Sequence, residues 1–244
     1  PDRGSKNGLF NTGGVTQGSV DPEKLDAFEI GLKSELFDRS VRLNTSAFYY
    51  DYKDIQLTKA DGNGTQILFN AATAKLYGLD AEVSYAPALS GGRLELTAGT
   101  SLLHAKYKSF PGAPNSLPTG VGGNVIGVAD ASDNDMIRAP KVSLNVGATF
   151  TIPAGSGEFG TSANYYYNDG FYWEPDNRIR QPSYEIVNGQ IWYAFGPDQR
   201  YRVKAFGKNL TDSRYGTLVV ATALGDIRSV GLPRTYGVGL DFEF

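Results

Sequence analysis

Apolar and polar residues alternate along most of this chain. In the segment 140–152, every second residue from Val142 to Ile152 is apolar, whereas the residues between them, such as Asn145, are polar or small. Successive side chains of a β-strand point to opposite faces, so the pattern predicts a strand with one apolar and one polar face. The last residues, 234–244, repeat the pattern. We therefore expect a chain built from two-faced strands.

The same alternation predicts nine strands, at 24–36, 39–57, 75–86, 92–107, 140–152, 157–167, 183–195, 200–209 and 234–244. The connections between them alternate in length. The short ones are 37–38, 87–91, 153–156 and 196–199, and the long ones are 58–74, 108–139, 168–182 and 210–233. Tight turns at one end and long loops at the other are typical of bacterial outer-membrane barrels. We predict an all-β fold, an antiparallel transmembrane β-barrel segment.

Aromatic residues occupy the ends of the predicted strands on the apolar face, where barrel proteins place them at the lipid headgroups. Those next to the short turns are Tyr85, Phe150, Phe159, Phe195, Tyr201, Phe242 and Phe244. Those toward the long loops are Tyr49, Tyr165, Tyr167 and Tyr236. These positions predict two aromatic girdles, one at each surface of the membrane.

Composition and charge narrow the function classes. The chain contains no Cys, which excludes disulfides and Cys-based metal sites. A net charge of -3 without a Lys/Arg run argues against nucleic acid as a partner. The longest nearly uncharged apolar stretch, 217–225, is shorter than the roughly 20 residues of a membrane helix. A barrel needs no such stretch, so the bacterial outer membrane is the expected location.

The first residues lack the alternation. Residues 1–22 are polar and turn-like, and we expect them to end a preceding extracellular loop, with the barrel strands in 23–244. The chain opens at Pro1 with neither an initiator Met nor a signal peptide. We interpret it as a fragment that begins in mid-barrel.

Five local motifs resemble, in the same order, the C-terminal barrel of TonB-dependent receptors. The motifs are Pro22-Glu23 with Glu29 to Lys33, Phe48 to Gln56 ending in Asp-Ile-Gln, Asn70-Ala71-Ala72 with Tyr77 to Glu82, Gly207 to Asp212 with Tyr215, and Pro233 to Gly237 running on to Phe244. Asp80 stands where the family usually has Glu, a change that keeps the carboxylate. The resemblance extends from Pro22 to Phe244.

The resemblance implies a barrel of about 22 strands whose lumen holds an N-terminal plug domain. It implies TonB-dependent import of a scarce nutrient such as a ferric siderophore, with TonB acting through an absent N-terminal part. The implied partners are outer-membrane lipid, the plug domain and remaining barrel strands, the barrel assembly machinery, and a small-molecule or metal-chelate ligand. Phe244 is the expected assembly signal. A passive substrate-specific porin and an adhesion or structural barrel are the alternatives.

Enzyme chemistry is not expected. By the alternation, His104, the single histidine, faces outward near the extracellular rim, away from the lumen, so no base and nucleophile pair is indicated and no catalytic residues are assigned. The acidic run 130–135 lacks the Gly and Glu of an EF-hand loop, which favours a solvated loop over a calcium site. We expect no metal and no cofactor.

Four aromatic residues are the candidate substrate-binding residues. Tyr172 and Trp173, with lumen-side Tyr166 and Trp192, have rings that stack on flat or sugar-like ligands. The same rings can instead pack a loop against its neighbours. The charged residues of the polar face also have two interpretations. They could line a translocation path, or they could form a solvated lumen wall, and we favour the second interpretation.

Overall fold

The computed structural model describes residues 2–6, 19–60 and 66–242. In chain order their strands are β1 (Asp2–Lys6), β2 (Glu23–Leu36), β3 (Val41–Ala60), β4 (Gln66–Tyr85), β5 (Ala88–Leu89), β6 (Gly92–Ser109), β7 (Ala113–Pro118), β8 (Asn124–Ala129), β9 (Val142–Ala154), β10 (Gly157–Tyr172), β11 (Arg180–Phe195), β12 (Tyr201–Lys208), β13 (Gly216–Thr222), β14 (Gly225–Val230) and β15 (Thr235–Phe242). A single 3-10 turn, Pro197–Gln199, completes the regular structure of these ranges. None of the helical structure described there is long and apolar enough to cross a membrane.

One antiparallel sheet of 11 strands contains most of these elements, in the order β1-β2-β3-β4-β6-β9-β10-β11-β12-β15, with the short β5 beside β6. Neighbours in the sheet follow each other along the chain, as in an up-and-down barrel. The hairpins β7–β8 and β13–β14 stand apart from the sheet, within the two longest loops. The sheet is open, so it is part of a barrel wall.

All nine predicted strands are confirmed, but four of them extend by three or more residues beyond their predicted ends toward the long loops. These are β3, β4, β10 and β11, which reach into 58–74 and 168–182. At this height the inner side chains are apolar and buried: Ile55 lies opposite Ala72, and Tyr107 opposite Ala74. The outer side chains here, such as Lys75, are charged, so the pattern of the wall is reversed and an apolar outer face no longer marks the strands.

The N-terminal residues differ from the prediction, and the last two residues lie outside the described part of the chain. Residues 2–6, expected in a loop, form β1 and pair with β2 from Asp2 opposite Ala27 to Lys6 opposite Glu23. Their sequence is polar throughout, so no alternation marks the strand. Phe244 lies outside the described residues. Its role in assembly and the division into 1–22 and 23–244 stay predictions.

The register places the apolar and polar residues on opposite faces of the sheet, as predicted. On one face Val146 lies between Ala98 and Tyr165, whereas on the other Asn145 lies between Gly99 and Tyr166. The apolar face is widely exposed: Ile30 is 76% and Val238 84% accessible. An exposed apolar surface of this extent is typical of the outer face of a membrane barrel, and we refer to it as the lipid-facing side.

Aromatic rings mark both ends of this lipid-facing surface. Toward the short turns, Phe195 packs between Tyr193 and Tyr201, with ring centroids 5.9 and 5.6 Å away. Toward the long loops, Tyr77 stacks on His104 at 4.6 Å. Along β4 the outward residues run from Tyr77 to Tyr85, eight residues or roughly 26 Å of strand. With strands tilted by about 35–45°, this length spans roughly 20 Å of the membrane, somewhat less than the apolar band of about 25 Å.

Candidate functional site

The concave face of the sheet forms a polar wall. A depression of about 720 Å³ runs across six strands, from Glu29 and Lys33 on β2 to Tyr166 on β10. Tyr50 donates a hydrogen bond to Glu29, and Asn164 Nδ2 donates to Asn145 Oδ1 at 2.6 Å. These polar side chains are hydrogen-bonded to one another and also accessible to solvent, as expected for a hydrated surface.

Three tyrosine rings rise from this wall toward the long loops. Tyr166 and Tyr184 are neighbours on the inner face of β10 and β11, with centroids 5.9 Å apart. Tyr215, from the chain before β13, stacks on Tyr184 at 4.9 Å with an interplanar angle of 7°. Gly231 allows this position, because a Cβ there would lie 2.3 Å from the Tyr215 ring. We call Tyr166, Tyr184 and Tyr215 the tyrosine ladder.

An ion-pair network joins the loops above the ladder. The Arg178 guanidinium donates to both carboxylate oxygens of Asp226 at 2.8 Å, a bidentate geometry that is strong and directional. It also donates to Ser116 Oγ at 2.7 Å. Arg178 lies between β10 and β11, Ser116 on β7 and Asp226 on β14. One side chain therefore ties together three loops.

Further hydrogen bonds reinforce the same connection. Ser116 Oγ donates to Glu174 at 3.0 Å, and the Ala221 backbone N–H donates to the other oxygen of Glu174 at 3.0 Å. Asn124 Nδ2 donates to Asp226 at 3.0 Å and to the Thr222 carbonyl at 2.9 Å. We call the network of Ser116, Asn124, Glu174, Arg178 and Asp226 the loop clamp.

Apolar contacts underlie the loop clamp. Trp173, Ile179 and Val219 are buried against one another, and Phe171 packs edge-on to Trp173 at 4.9 Å. The Arg138 guanidinium lies 5.2 Å from the Trp173 ring, within reach of a cation–π interaction. The loop structure thus has a small core of its own.

The four predicted ligand residues do not form one site. Tyr166 lines the concave depression, and Tyr172 ends β10, so it lies on a strand and not in the predicted loop. Trp173 is only 7% exposed and packs the loops together, the alternative use that the sequence left open.

Trp192 lies opposite Gly160, six residues or roughly 20 Å along β10 from Tyr166. A ligand role for any of the four stays a prediction, and the geometry favours Tyr166. Sequence reasoning missed Tyr184, although it shares the inner-face parity of Trp192 on β11.

Other predicted features have structural roles. His104 faces outward against Tyr77, as predicted. In the acidic run, Asp130 accepts hydrogen bonds from Ser132, and Asp135 pairs with Lys141 at 3.0 Å. Across the described part of the chain, no three His, Cys, Asp or Glu side chains are grouped as metal ligands.

We expect the loop clamp to lose stability at acidic pH. The Arg178 guanidinium, aided by Asn124, holds the pKa of the Asp226 carboxyl below its ordinary value. A depressed pKa in the folded state stabilises the loops above the ordinary carboxyl value, about 4, and this stabilisation is lost as the pH falls through the folded value. We expect hydrogen exchange in peptides covering 173–179 and 216–230 to be constant from pH 8 to 5 after correction for the intrinsic rate, and to accelerate below about 4. Acceleration already near pH 6 would contradict the assignment to Asp226.

Comparison with known proteins identifies the fold. The structure of the ferric yersiniabactin uptake receptor FyuA from Yersinia pestis superposes with a TM-score of 0.78 over 99% of this chain and 34% of that one, at 19% identity. The siderophore receptor PiuA from Acinetobacter baumannii gives 0.68 over 91% and 29%, at 20% identity. The copper transporter OprC gives 0.60 over 92% and 32%, at 12% identity. This chain spans about a third of the length of these proteins.

The family-level match is to the TonB dependent receptor-like β-barrel, over residues 3–210. It covers most of the predicted strands and agrees with the resemblance of their motifs. The family consists of outer-membrane receptors and not of enzymes, as expected from the absence of a base and nucleophile pair in the sequence. The chain belongs to the TonB-dependent receptor β-barrel family.

Proposed function

We propose that the protein containing this chain imports a scarce nutrient across the outer membrane with energy supplied through TonB, and that a ferric siderophore is the first cargo to test. The tyrosine ladder carries this proposal. It presents stacked aromatic faces between the polar wall and the clamped loops, where a bulky planar chelate has both aromatic and hydrogen-bonding partners. FyuA and PiuA, named as an uptake receptor and a siderophore receptor, support this class of cargo.

In this proposal the parts of the chain have distinct tasks. The loops and the tyrosine ladder hold the cargo on the extracellular side, and the polar wall faces a plug domain and the water around it. TonB acts on that plug and opens a path beside the wall. The wall carries charges of both signs, such as Lys204 paired with Asp241 at 2.8 Å. These charges keep the surface hydrated, so a polar cargo meets no apolar patch along it.

Uptake in whole cells tests the proposal. Iron-starved cells whose other siderophore receptors are deleted would express the full-length protein and receive radiolabelled ferric yersiniabactin, ferric citrate or copper. We expect accumulation of one ferric chelate, and its loss in a strain lacking TonB or after collapse of the proton-motive force. Equal uptake without TonB would indicate a passive porin, and no uptake of any solute would favour an adhesion or structural barrel.

Tyr184→Ala tests the ladder in a separate binding assay. Removing the central ring takes away the stacked contact with Tyr215 and the tilted contact with Tyr166. We expect binding to the purified full-length protein to weaken by up to about tenfold, since one aromatic pair contributes roughly 0.5–1.5 kcal/mol. Tyr165→Ala is the matched control, because Tyr165 lies on the same sheet but faces lipid. Equal effects of the two substitutions would remove the ladder from the binding site.

A further inference from the structure

Three lysines lie on the lipid-facing side of the sheet, beyond the aromatic row and toward the long loops. They are Lys75 on β4 and Lys106 and Lys108 on β6, and we call them the rim lysines. The intervening residues Ala74, Ala105 and Tyr107 are buried on the inner side, whereas Lys75 and Lys108 are exposed. The alternation of the strands therefore directs the rim lysines outward.

The register brings two of these lysines side by side. Lys75 lies directly opposite Lys106 on the neighbouring strand, in the row that follows the stacked pair Tyr77 and His104. Residues opposite each other in antiparallel strands have Cβ atoms about 4.5–5.5 Å apart, and like charges in such a pair are destabilising. A pair of this kind at an exposed surface needs a neutralising partner.

The nearby carboxylates supply little of that charge. Asp51, opposite Lys75, pairs with Lys53 at 3.1 Å. Asp135 pairs with Lys141 at 3.0 Å and lies 3.9 Å from Lys106. Within the described ranges, Lys75 and Lys108 have neither a hydrogen bond nor an ion pair. Lys106 also donates a hydrogen bond from Nζ to the Asp133 carbonyl at 3.1 Å, so the unmet positive charge of the rim lysines lies chiefly on Lys75 and Lys108.

The position of the rim lysines relative to the aromatic row indicates which anion they contact. Aromatic girdles lie where the apolar band meets the headgroups. Lys75 and Lys106 are two residues, or roughly 7 Å along the strand, beyond the Tyr77–His104 row. Long lysine side chains at this depth extend to the headgroup region, where lipid phosphates lie. Because the surface faces away from the lumen, imported cargo does not reach it.

We propose that the rim lysines bind the phosphate groups of anionic lipid in the membrane leaflet on the long-loop side. A phosphate between Lys75 and Lys106 would offset their mutual repulsion, and Lys108 would add a third cation at its outer edge. Such a contact fixes the depth of the barrel in the bilayer and orders a lipid next to the loops. The proposal depends on the membrane position of the sheet and not on the identity of the cargo.

The test uses the purified full-length protein in detergent, with diphosphorylated lipid A as the probe and fully dephosphorylated lipid A as its control. Lys75→Gln/Lys106→Gln removes the central pair. Arg39→Gln/Arg200→Gln is the matched variant, since it removes the same charge from the short turns. With each lysine near a lipid surface contributing about a factor of five, we expect the first variant to bind roughly thirtyfold more weakly and the second to bind like the parent protein.

Each outcome decides the proposal. Retained binding in Lys75→Arg/Lys106→Arg, together with weak binding of dephosphorylated lipid A, would support it. Unchanged binding in Lys75→Gln/Lys106→Gln, or an equal loss in the short-turn variant, would overturn it. Inorganic phosphate that binds the parent protein as tightly as lipid A does would also overturn it, because the site would then take a free anion. Heat-modifiable mobility confirms that each variant is folded.

Discussion

Val146→Arg is expected to destabilise the full-length barrel by roughly 2–4 kcal/mol, because it places a charge in the lipid near the membrane midplane. Val146 lies on the lipid-facing side of β9, four residues from Phe150 in the short-turn girdle and four from Val142 at the start of the strand. Its side chain has no aqueous surface within easy reach. Reversible unfolding in lipid vesicles measures the cost.

Asn145→Arg is the matched variant, with the same new residue one position along the same strand. Asn145 lies on the polar wall, where an arginine stays hydrated, and the variant loses chiefly the hydrogen bond from Asn164, worth about 1 kcal/mol. We expect it to cost much less than Val146→Arg. An equal or greater cost for Asn145→Arg would mean that the two faces of β9 have been assigned the wrong way round.

Arg178→Met is expected to open the loop clamp. The substitution removes the bidentate pair with Asp226 and leaves the carboxylates of Glu174, Asp176 and Asp226 without their shared cation. Buried charge pairs cost more to break, but Asp226 is 38% exposed, so solvent screening reduces the loss to about 2 kcal/mol. We expect hydrogen exchange in 113–129, 173–179 and 216–230 to accelerate together by roughly thirtyfold.

Arg228→Met is the control for this variant. Arg228 lies on β14 in the same hairpin, forms no hydrogen bond or ion pair among the described residues, and adds only a weak electrostatic attraction to Asp226. Its removal should change stability by less than about 0.5 kcal/mol, as for most surface positions. Acceleration confined to 173–179 in Arg178→Met would show that the hairpins are held by other contacts.

The sequence predicts the barrel wall well because lipid and water lie on opposite sides of each strand. Around Val146 and Asn145, apolar residues face lipid and polar residues face water. The alternation therefore predicts both the strand and which of its faces points outward. The prediction weakens toward the long loops, where inner residues such as Ile55 and Tyr107 are apolar and outer residues such as Lys75 are charged, because the pattern that marks the wall is then reversed.

The candidate site was harder to predict because its contacts join distant parts of the chain. Ser116 and Arg178 are 62 residues apart, and Asn124 and Asp226 are 102 apart. Hairpin β7–β8 also contains Pro114 and Pro118, which favour a loop assignment. The alternation places Tyr166 and Tyr184 on the inner face, whereas Tyr215 and Asp226 lie in segments that show no alternation.

The loop clamp also limits how the loops of this chain can be exchanged by recombination. A loop of an up-and-down barrel can ordinarily be exchanged alone, because each one only reconnects two neighbouring strands. Here Arg178, Ser116 and Asp226 come from three different loops, so a graft of one loop leaves charged partners behind in the other two. Functional chimeras should therefore require 110–138, 173–179 and 209–234 to be transferred as one inherited set.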